Sequence, residues 1–111
     1  MKIIKEKNKI YFNDNNISFA NVTIDYKTNI VFLELLKVVP EYRNSNLAKN
    51  ILTKIIAYIK SIGYKLINLN PLPLDRNGLN LDQLIDFYKK FNFISSSNYD
   101  RAYPYMMSRV L

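Results

Sequence analysis

The sequence has 111 residues and a formal net charge of +7, with no cysteine, no histidine and only two glycines. A chain of this length forms one domain, residues 1–111, and buries roughly two-thirds of its unfolded surface, enough for a core without disulfides or metal. The missing residue types exclude zinc sites with the usual ligands, histidine-ligated haem, and thiol or Ser-His nucleophiles. Any metal would have to be held by oxygen ligands, and we expect no metal site.

The first half of the chain has the pattern of antiparallel strands. β-branched and aromatic residues alternate with polar ones over residues 9–13 and 17–25, and Asp14-Asn15-Asn16 between them suits a tight turn. A second turn at Lys27-Thr28-Asn29 leads into an apolar run over residues 30–39. This run predicts a central strand that is covered on both faces.

The pattern then changes to that of an amphipathic helix. Over residues 46–62 apolar side chains recur at helical spacing, and Gly63 follows at the expected C-cap position. A short apolar strand over residues 64–69 comes next. Strand 30–39, the helix and this strand therefore form a βαβ unit with parallel strands and a right-handed connection.

The last third of the chain predicts a second helix and two strands. Asn80 and Gln83 stand at the spacing of a capping box, and Asn92 suits the left-handed cap that ends a helix. Residues 93–94 and 105–111 are typical of a final strand pair. The predicted order is β-β-β-α-β-α-β-β, an α/β domain with a mixed sheet of about six or seven strands.

The junction between strand 30–39 and helix 46–62 is the segment that most resembles a ligand site. A loop that enters a helix directs unpaired backbone N–H groups and the positive end of the helix dipole outward, which suits a phosphate anion. Arg43 and Lys49 add positive charge there. The alternative interpretation is an ordinary polar helix start.

Three motifs in this half of the chain resemble the GCN5-related N-acetyltransferase (GNAT) superfamily, in the order in which that family has them. The first resembles its pyrophosphate-binding loop and consists of Val38, Pro40, Tyr42, Arg43 and Ala48. The second is Phe87-Tyr88-Lys89-Lys90-Phe91-Asn92-Phe93, and the third is Met107-Ser108-Arg109-Val110-Leu111. The matches run from about residue 30 to the last residue.

This resemblance implies a GNAT-like fold: a mixed, mostly antiparallel sheet with a central parallel βαβ unit and two main helices. The two helices that the family has between its first strands have no counterpart in residues 1–29. Their loss resembles the compact acetyltransferases of phages and mobile elements, including anti-CRISPR examples. An open acceptor side would follow, which favours a protein lysine over an enclosed small metabolite.

The resemblance also implies acetyl-CoA as co-substrate and acetyl transfer to a primary amine. Cofactor contacts are then expected from the end of the central strand, the loop, the helix start and the end of the next strand: Leu36, Val38, Arg43, Asn44, Ser45, Asn46, Leu47, Ala48, Lys49 and Asn70. The backbone of Leu36 to Val38 would pair with the pantetheine arm. Asn70 could instead simply cap its strand.

Acetyl transfer needs a deprotonated amine, a donor to the thioester oxygen and an acid for the departing thiolate. By resemblance, the backbone N–H of Val38 is the donor and Tyr88 is the acid, although the helical spacing of Tyr88 also suits a core residue. Glu34 is the candidate base, directly or through water, because strand alternation places it on the same face as Val38. It could also be an edge residue or an ion-pair partner.

Two departures from the family pattern leave a second hypothesis open. Asn46 and Asn92 stand where the family has glycine, and asparagine is the residue that best replaces glycine at positive φ. If Asn46 blocks coenzyme A, the chain is a catalytically silent binding protein, such as a phage-type inhibitor of a host factor. A nucleic-acid binder is a third hypothesis because of the net charge of +7.

The distribution of lysine argues against nucleic acid as the partner. The basic residues are spread along the chain, and Lys2, Lys5, Lys7 and Lys9 are typical of a solvated face. No apolar run approaches the ~20 residues of a membrane-spanning helix, and the start lacks the features of a secretion signal. We expect a cytoplasmic protein without a membrane partner, located in the host cytoplasm if a phage encodes it.

Overall fold

The computed structural model describes residues 1–43, 46–73, 78–97 and 100–111. Its strands are β1 (Lys2–Glu6), β2 (Lys9–Asp14), β3 (Ser18–Asp25), β4 (Ile30–Val38), β5 (Leu66–Leu69), β6 (Ile94–Ser95) and β7 (Met107–Val110). Its helices are α1 (Leu47–Ser61) and α2 (Leu81–Lys89), and a 3-10 turn covers Pro40–Tyr42. The strands form one sheet in the order β1-β2-β3-β4-β5-β7-β6. Only β4 and β5 are parallel among these neighbours.

Asparagine supplies most of the tight turns. Asn15 and Asn16 have φ values of 57° and 58°, and the N–H of Ile17 donates to the carbonyl of Asp14 at 3.1 Å. Two consecutive positive φ values of this kind match the right-handed twist of the β2–β3 hairpin. Among the described residues, six non-glycine residues have positive φ, and five of them are asparagines.

The predicted helix ends are confirmed. Gly63 follows α1 with a φ of 99°, and Asn92 follows α2 with a φ of 65°. At the start of α2, Asn80 and Gln83 form the full capping box, with both hydrogen bonds at 2.9 Å. These residues fix where each helix begins and ends.

Both helices pack on the same face of the sheet. The connections β4-α1-β5 and β5-α2-β6 run in one direction across the sheet, so right-handed crossovers place both helices together. One core cluster contains the inward side chains of this face and of both helices; its helical members include Ile51, Leu52, Ile55, Ile59 and Tyr88.

The opposite face has no helix among the described residues. We call it the helix-free face; its central residues are Lys9, Tyr11, Phe19, Asn21, Thr23 and Phe32. Only Lys7 and Asn8 separate β1 from β2, so nothing there could cover this face. The segment before β7 covers one part of it, since the rings of Phe32 and Tyr103 lie 5.1 Å apart. Neither described helix has the length and apolar character needed to cross a membrane.

The structure differs from the sequence-based expectations at three strands. β1 was not predicted, because Lys2–Glu6 reads Lys-Ile-Ile-Lys-Glu and lacks the alternation of apolar and polar residues that is typical of a strand. β5 begins at Leu66, since the N–H of Tyr64 still donates to Ile59 at the end of α1. Helices cover β4 on one face only, which corrects the expectation of two covered faces.

Candidate functional site

The site begins with a gap in the sheet between β4 and β5. The parallel pairing joins residues 31–33 to residues 67–69 and stops there, while β4 continues to Val38. Residues 34–38 therefore have no strand partner on the side of β5 within the described part of the chain. The gap exposes backbone groups that another extended molecule could pair with.

Backbone alternation shows which groups face this gap. The N–H of Val39 donates to Ile17 on the β3 side at 2.9 Å, so the N–H of Val38 points to the β5 side. Leu36, two residues earlier on a regular stretch, points the same way. The carbonyl of Val38 accepts a hydrogen bond from Nε of Arg43 at 3.2 Å, which holds the Arg43 side chain beside the end of β4.

The first turn of α1 lies next to this gap and is left open. Asn46 has a left-handed backbone with φ 63° and ψ 12°, and its side chain makes no cap hydrogen bond. The first helical bond runs from the N–H of Asn50 to the carbonyl of Asn46 at 3.0 Å. The N–H groups of Leu47, Ala48 and Lys49 donate to no described residue. The predicted contacts Asn44 and Ser45 lie outside the described residues.

A cleft of about 870 Å³ runs from this helix start to the gap in the sheet. The sequence predicts twelve site residues, and the ten that the structure describes all line this cleft: Glu34, Leu36, Val38, Arg43, Asn46, Leu47, Ala48, Lys49, Asn70 and Tyr88. Sequence reasoning missed the wall on the other side, formed by Pro71, Leu72, Gln83, Leu84 and Phe87. The apolar residues that follow β5 were the available signal for it.

Tyr88 reaches the cleft from α2. Its ring is 7% exposed and packs edge-on against Phe87 and Phe93, with centroids 5.2 Å and 5.7 Å away. Its hydroxyl has no hydrogen-bond partner in the described part of the chain. Burial raises the pKa of Tyr88 to about 12, so the hydroxyl keeps its proton at neutral pH.

Glu34 lies at a bulge in β4, which corrects its predicted orientation. Asn21 pairs with Leu35 and the next residue, Val22, pairs with Leu33, so Glu34 is an extra residue without a partner on β3. The extra residue breaks the two-residue alternation, and the Glu34 side chain lies on the helix-free face rather than with Val38. There one carboxylate oxygen accepts the Thr23 hydroxyl and the other lies 3.4 Å from Nζ of Lys9.

A second cavity of about 560 Å³ opens on the helix-free face. Its walls include the carboxylates of Asp25 and Glu34 and the rings of Phe32 and Tyr103, which are tilted by 51° to each other. Glu34, Asn70 and Leu72 line both this cavity and the cleft, so the two spaces meet at the gap between β4 and β5.

Asn70 ties this meeting point to the segment before β7. Its side-chain oxygen accepts a hydrogen bond from the N–H of Tyr105 at 2.8 Å, while its side-chain nitrogen has no partner among the described residues.

No group of three acidic side chains that could hold a metal ion occurs in the described part of the chain. The site thus offers backbone donors, the hydroxyl of Tyr88 and the carboxylates of Asp25 and Glu34.

A sequence model of the acetyltransferase (GNAT) family matches residues 5–93. No curated protein sequence matches the chain.

Several solved structures share the fold. The anti-CRISPR protein AcrVA5 is 14% identical with a TM-score of 0.73, and the match covers 93% of this chain and 99% of that one. The PaiA N-acetyltransferase of Thermoplasma acidophilum, solved with coenzyme A, is 20% identical with a TM-score of 0.67, over 93% of this chain and 60% of that one. The ribosomal-protein-S18-alanine N-acetyltransferase of Escherichia coli is 14% identical with a TM-score of 0.68, and the match covers 96% of this chain and 71% of that one.

Proposed function

Since the chain belongs to the acetyltransferase (GNAT) family, we propose that it transfers the acetyl group of acetyl-CoA to a lysine side chain of another protein. The observation that carries this proposal is the meeting of two cavities at Glu34, Asn70 and Leu72. One cavity begins at an open helix start and the other opens on the helix-free face. Two substrates could therefore approach one point from opposite sides of the sheet.

The cleft fits the cofactor in size and charge. A volume of about 870 Å³ lies within the range of roughly 300–1,000 Å³ that is usual for ligand pockets. The free N–H groups of Leu47, Ala48 and Lys49 would donate to the pyrophosphate, and Arg43 and Lys49 would add positive charge. The backbone of Leu36 and Val38 would pair with the pantetheine arm across the gap beside β5.

Two residues would move protons at the meeting point. The lone pair of the acceptor amine attacks the thioester carbon, the C–N bond forms and the C–S bond breaks. Tyr88 gives its hydroxyl proton to the departing thiolate and regains one from solvent. Glu34 receives the proton that the amine loses, directly or through water, and the Val38 N–H donates to the carbonyl oxygen.

The second cavity supports a cationic, unbranched acceptor. Asp25 and Glu34 would attract an ammonium group, while Phe32 and Tyr103 would pack against the methylene chain of a lysine. The open helix-free face leaves room for the rest of a large acceptor.

Calorimetric titration with acetyl-CoA, followed by a thiol-release assay with a lysine peptide, tests the proposal. We expect micromolar binding and thiol release that falls about 100-fold in Tyr88→Phe. Tyr58→Phe is the matched control: Tyr58 lies on α1, packs against Phe12 and lines neither cavity, so its loss should leave turnover unchanged. Equal turnover in both variants would remove Tyr88 from the chemistry.

The second candidate function is a catalytically silent binding protein. It is favoured by Asn46, which stands where the family has glycine. Absence of binding at millimolar acetyl-CoA would support it over the enzyme. Thiol release with free amines but not with peptides would instead keep the reaction and reject the protein acceptor.

A further inference from the structure

One of the chain's own amines lies beside the place where the two cavities meet. Lys9 begins β2, and its Nζ is 3.4 Å from Oε2 of Glu34. Its partner across the β2–β3 ladder is Thr23, which also donates to Glu34. The two neighbours of Lys9, Thr23 and Glu34, therefore both line the second cavity, and Glu34 lines the cofactor cleft as well.

We propose that the protein acetylates itself on Lys9, an inference that rests on the acetyl transfer proposed above. Lys9 already lies on the helix-free face, where an external lysine would have to enter. Its tether to β2 raises its effective concentration near Glu34 far above that of any lysine in solution. Lys9 is thus the amine that lies beside Glu34, the proposed base of the reaction.

The ion pair that holds Lys9 is weak enough to release it. The side chains of Lys9 and Glu34 are 43% and 37% exposed. Exposed pairs of this kind contribute little to stability, and exposed side chains change rotamer within nanoseconds. The ammonium can therefore leave Oε2, lose a proton and turn toward the gap between β4 and β5.

The chemical step balances without a further reactant. The Lys9 Nζ lone pair attacks the thioester carbon of acetyl-CoA, forming a C–N bond as the C–S bond breaks. The thiolate takes a proton from Tyr88. Of the three protons on the ammonium, the amide keeps one, one is released to solvent before the attack, and one passes through Glu34 or water to restore Tyr88. The products are an acetylated Lys9, free coenzyme A and one proton released to solvent.

This acetylation would change the site. Lys9 loses its charge and its ion pair with Glu34, while Glu34 keeps the hydrogen bond from Thr23. The carboxylate is then free to attract the ammonium of an external acceptor. We expect the acetylated protein to have a lower KM for a lysine peptide than the unmodified protein.

Lys54 is the matched control within the same chain. It too pairs with a carboxylate, Asp14, at 2.8 Å, and its side chain is 49% exposed. However, it lies on α1, and its carboxylate partner Asp14 lines neither cavity, whereas Glu34, the partner of Lys9, lines both. A difference between the acetylation rates of Lys9 and Lys54 would therefore reflect how close each lysine lies to the cavities, and not its exposure or its ion pair.

The test is to incubate the whole chain with acetyl-CoA and locate the added acetyl groups by peptide mass spectrometry over time. We expect Lys9 to be modified at least ~10-fold faster than Lys54, with a half-time independent of protein concentration. Tyr88→Phe should slow Lys9 but not Lys54, and Lys54→Arg should leave the modification of Lys9 unchanged. Modification of Lys9 and Lys54 at equal rates overturns the inference.

A parallel assay separates this inference from the proposed function. If a lysine peptide is acetylated while Lys9 stays unmodified, only the self-acetylation is wrong. If neither is acetylated, both proposals are wrong. If the half-time of Lys9 modification shortens in proportion as the protein concentration rises, transfer occurs between molecules and the intramolecular step is overturned.

Discussion

The two helices both follow an asparagine, yet they begin in opposite ways. Asn80 has an extended backbone, and its side chain accepts from the N–H of Gln83 while the Gln83 side chain accepts from the N–H of Asn80. Asn46 has a left-handed backbone, and its side chain caps nothing. The start of α2 is closed by the chain itself, whereas the start of α1 is left open toward the cleft.

This difference shows that backbone conformation decides what an asparagine does at a helix start. In the extended form the side chain folds over the first turn and satisfies its donors. In the left-handed form the side chain is turned away, and the donors stay available to an anion. A residue other than glycine in this conformation carries a steric cost, which is typical of functional positions.

The two helices also differ in what they bring to the cleft: α1 brings backbone donors and α2 brings a side chain, Tyr88. The largest predicted effect concerns that side chain. Its pKa of about 12 in the folded protein is higher than that of a free tyrosine. Burial therefore leaves stability intact below pH ~10, and the free energy of unfolding falls by about 3 kcal/mol as the pH rises through ~12.

Denaturant unfolding of the protein and of Tyr88→Phe, between pH 9 and pH 12, measures this effect. The other tyrosines and the lysines titrate in both proteins, so their contribution cancels in the difference. The stability of the protein should decline relative to the variant as the pH rises. Parallel curves would mean that Tyr88 ionises freely, as a solvent-exposed phenol does.

The open start of α1 predicts a change in which stability and affinity move in opposite directions. Asn46→Asp keeps a side chain that tolerates the left-handed backbone, and its negative charge interacts favourably with the helix dipole. It should stabilise the fold slightly but weaken acetyl-CoA binding by about tenfold, or ~1.4 kcal/mol, through repulsion of the phosphates. Thermal unfolding and calorimetric titration measure the two quantities.

Asn92→Asp is the control for this prediction. Asn92 is also left-handed, with φ 65°, but it follows α2 and lines neither cavity. There the added charge should leave acetyl-CoA affinity unchanged. If both substitutions have the same effect on affinity, the phosphates do not bind at the start of α1.

Local signals explain which parts of this comparison could be predicted from the sequence. The capping box at Asn80 depends only on Gln83, three residues away. The left-handed turn at Asn92 depends only on the residue type at that position. Most of the predicted residues that line the cleft lie between Leu36 and Lys49, in the segment whose motif resembles the GNAT family. Such features need no knowledge of distant strands.

The rest depends on residues that are far apart in the chain. The orientation of Glu34 was mispredicted because the bulge exists only in the pairing of β4 with β3. The second cavity joins β3, β4, the end of β5 and the segment around Tyr103, which no sequence pattern connects. The ion pair of Lys9 with Glu34 spans 25 positions and likewise could not be predicted.

Removing the cap of α2 should affect stability alone. Asn80→Ala deletes the acceptor of the Gln83 N–H and should lower the free energy of unfolding by about 1 kcal/mol. Acetyl-CoA affinity should stay within about twofold, because Asn80 does not line the cleft. Denaturant titration and calorimetry provide both values, and a large loss of affinity would show that α2 also takes part in cofactor binding.

The smallest predicted effect is that of Asn46→Gly. Glycine adopts the left-handed conformation without steric cost but adds entropy to the unfolded chain, so the net change in stability should be under ~0.5 kcal/mol. Acetyl-CoA affinity should be retained, because the donors belong to the backbone of residues 47–49 and not to the Asn46 side chain. A tenfold loss of acetyl-CoA affinity in calorimetric titration would instead mean that the side-chain amide of Asn46 binds the phosphates. The two helix starts would then differ in what their asparagine side chains bind, and not in their backbone donors.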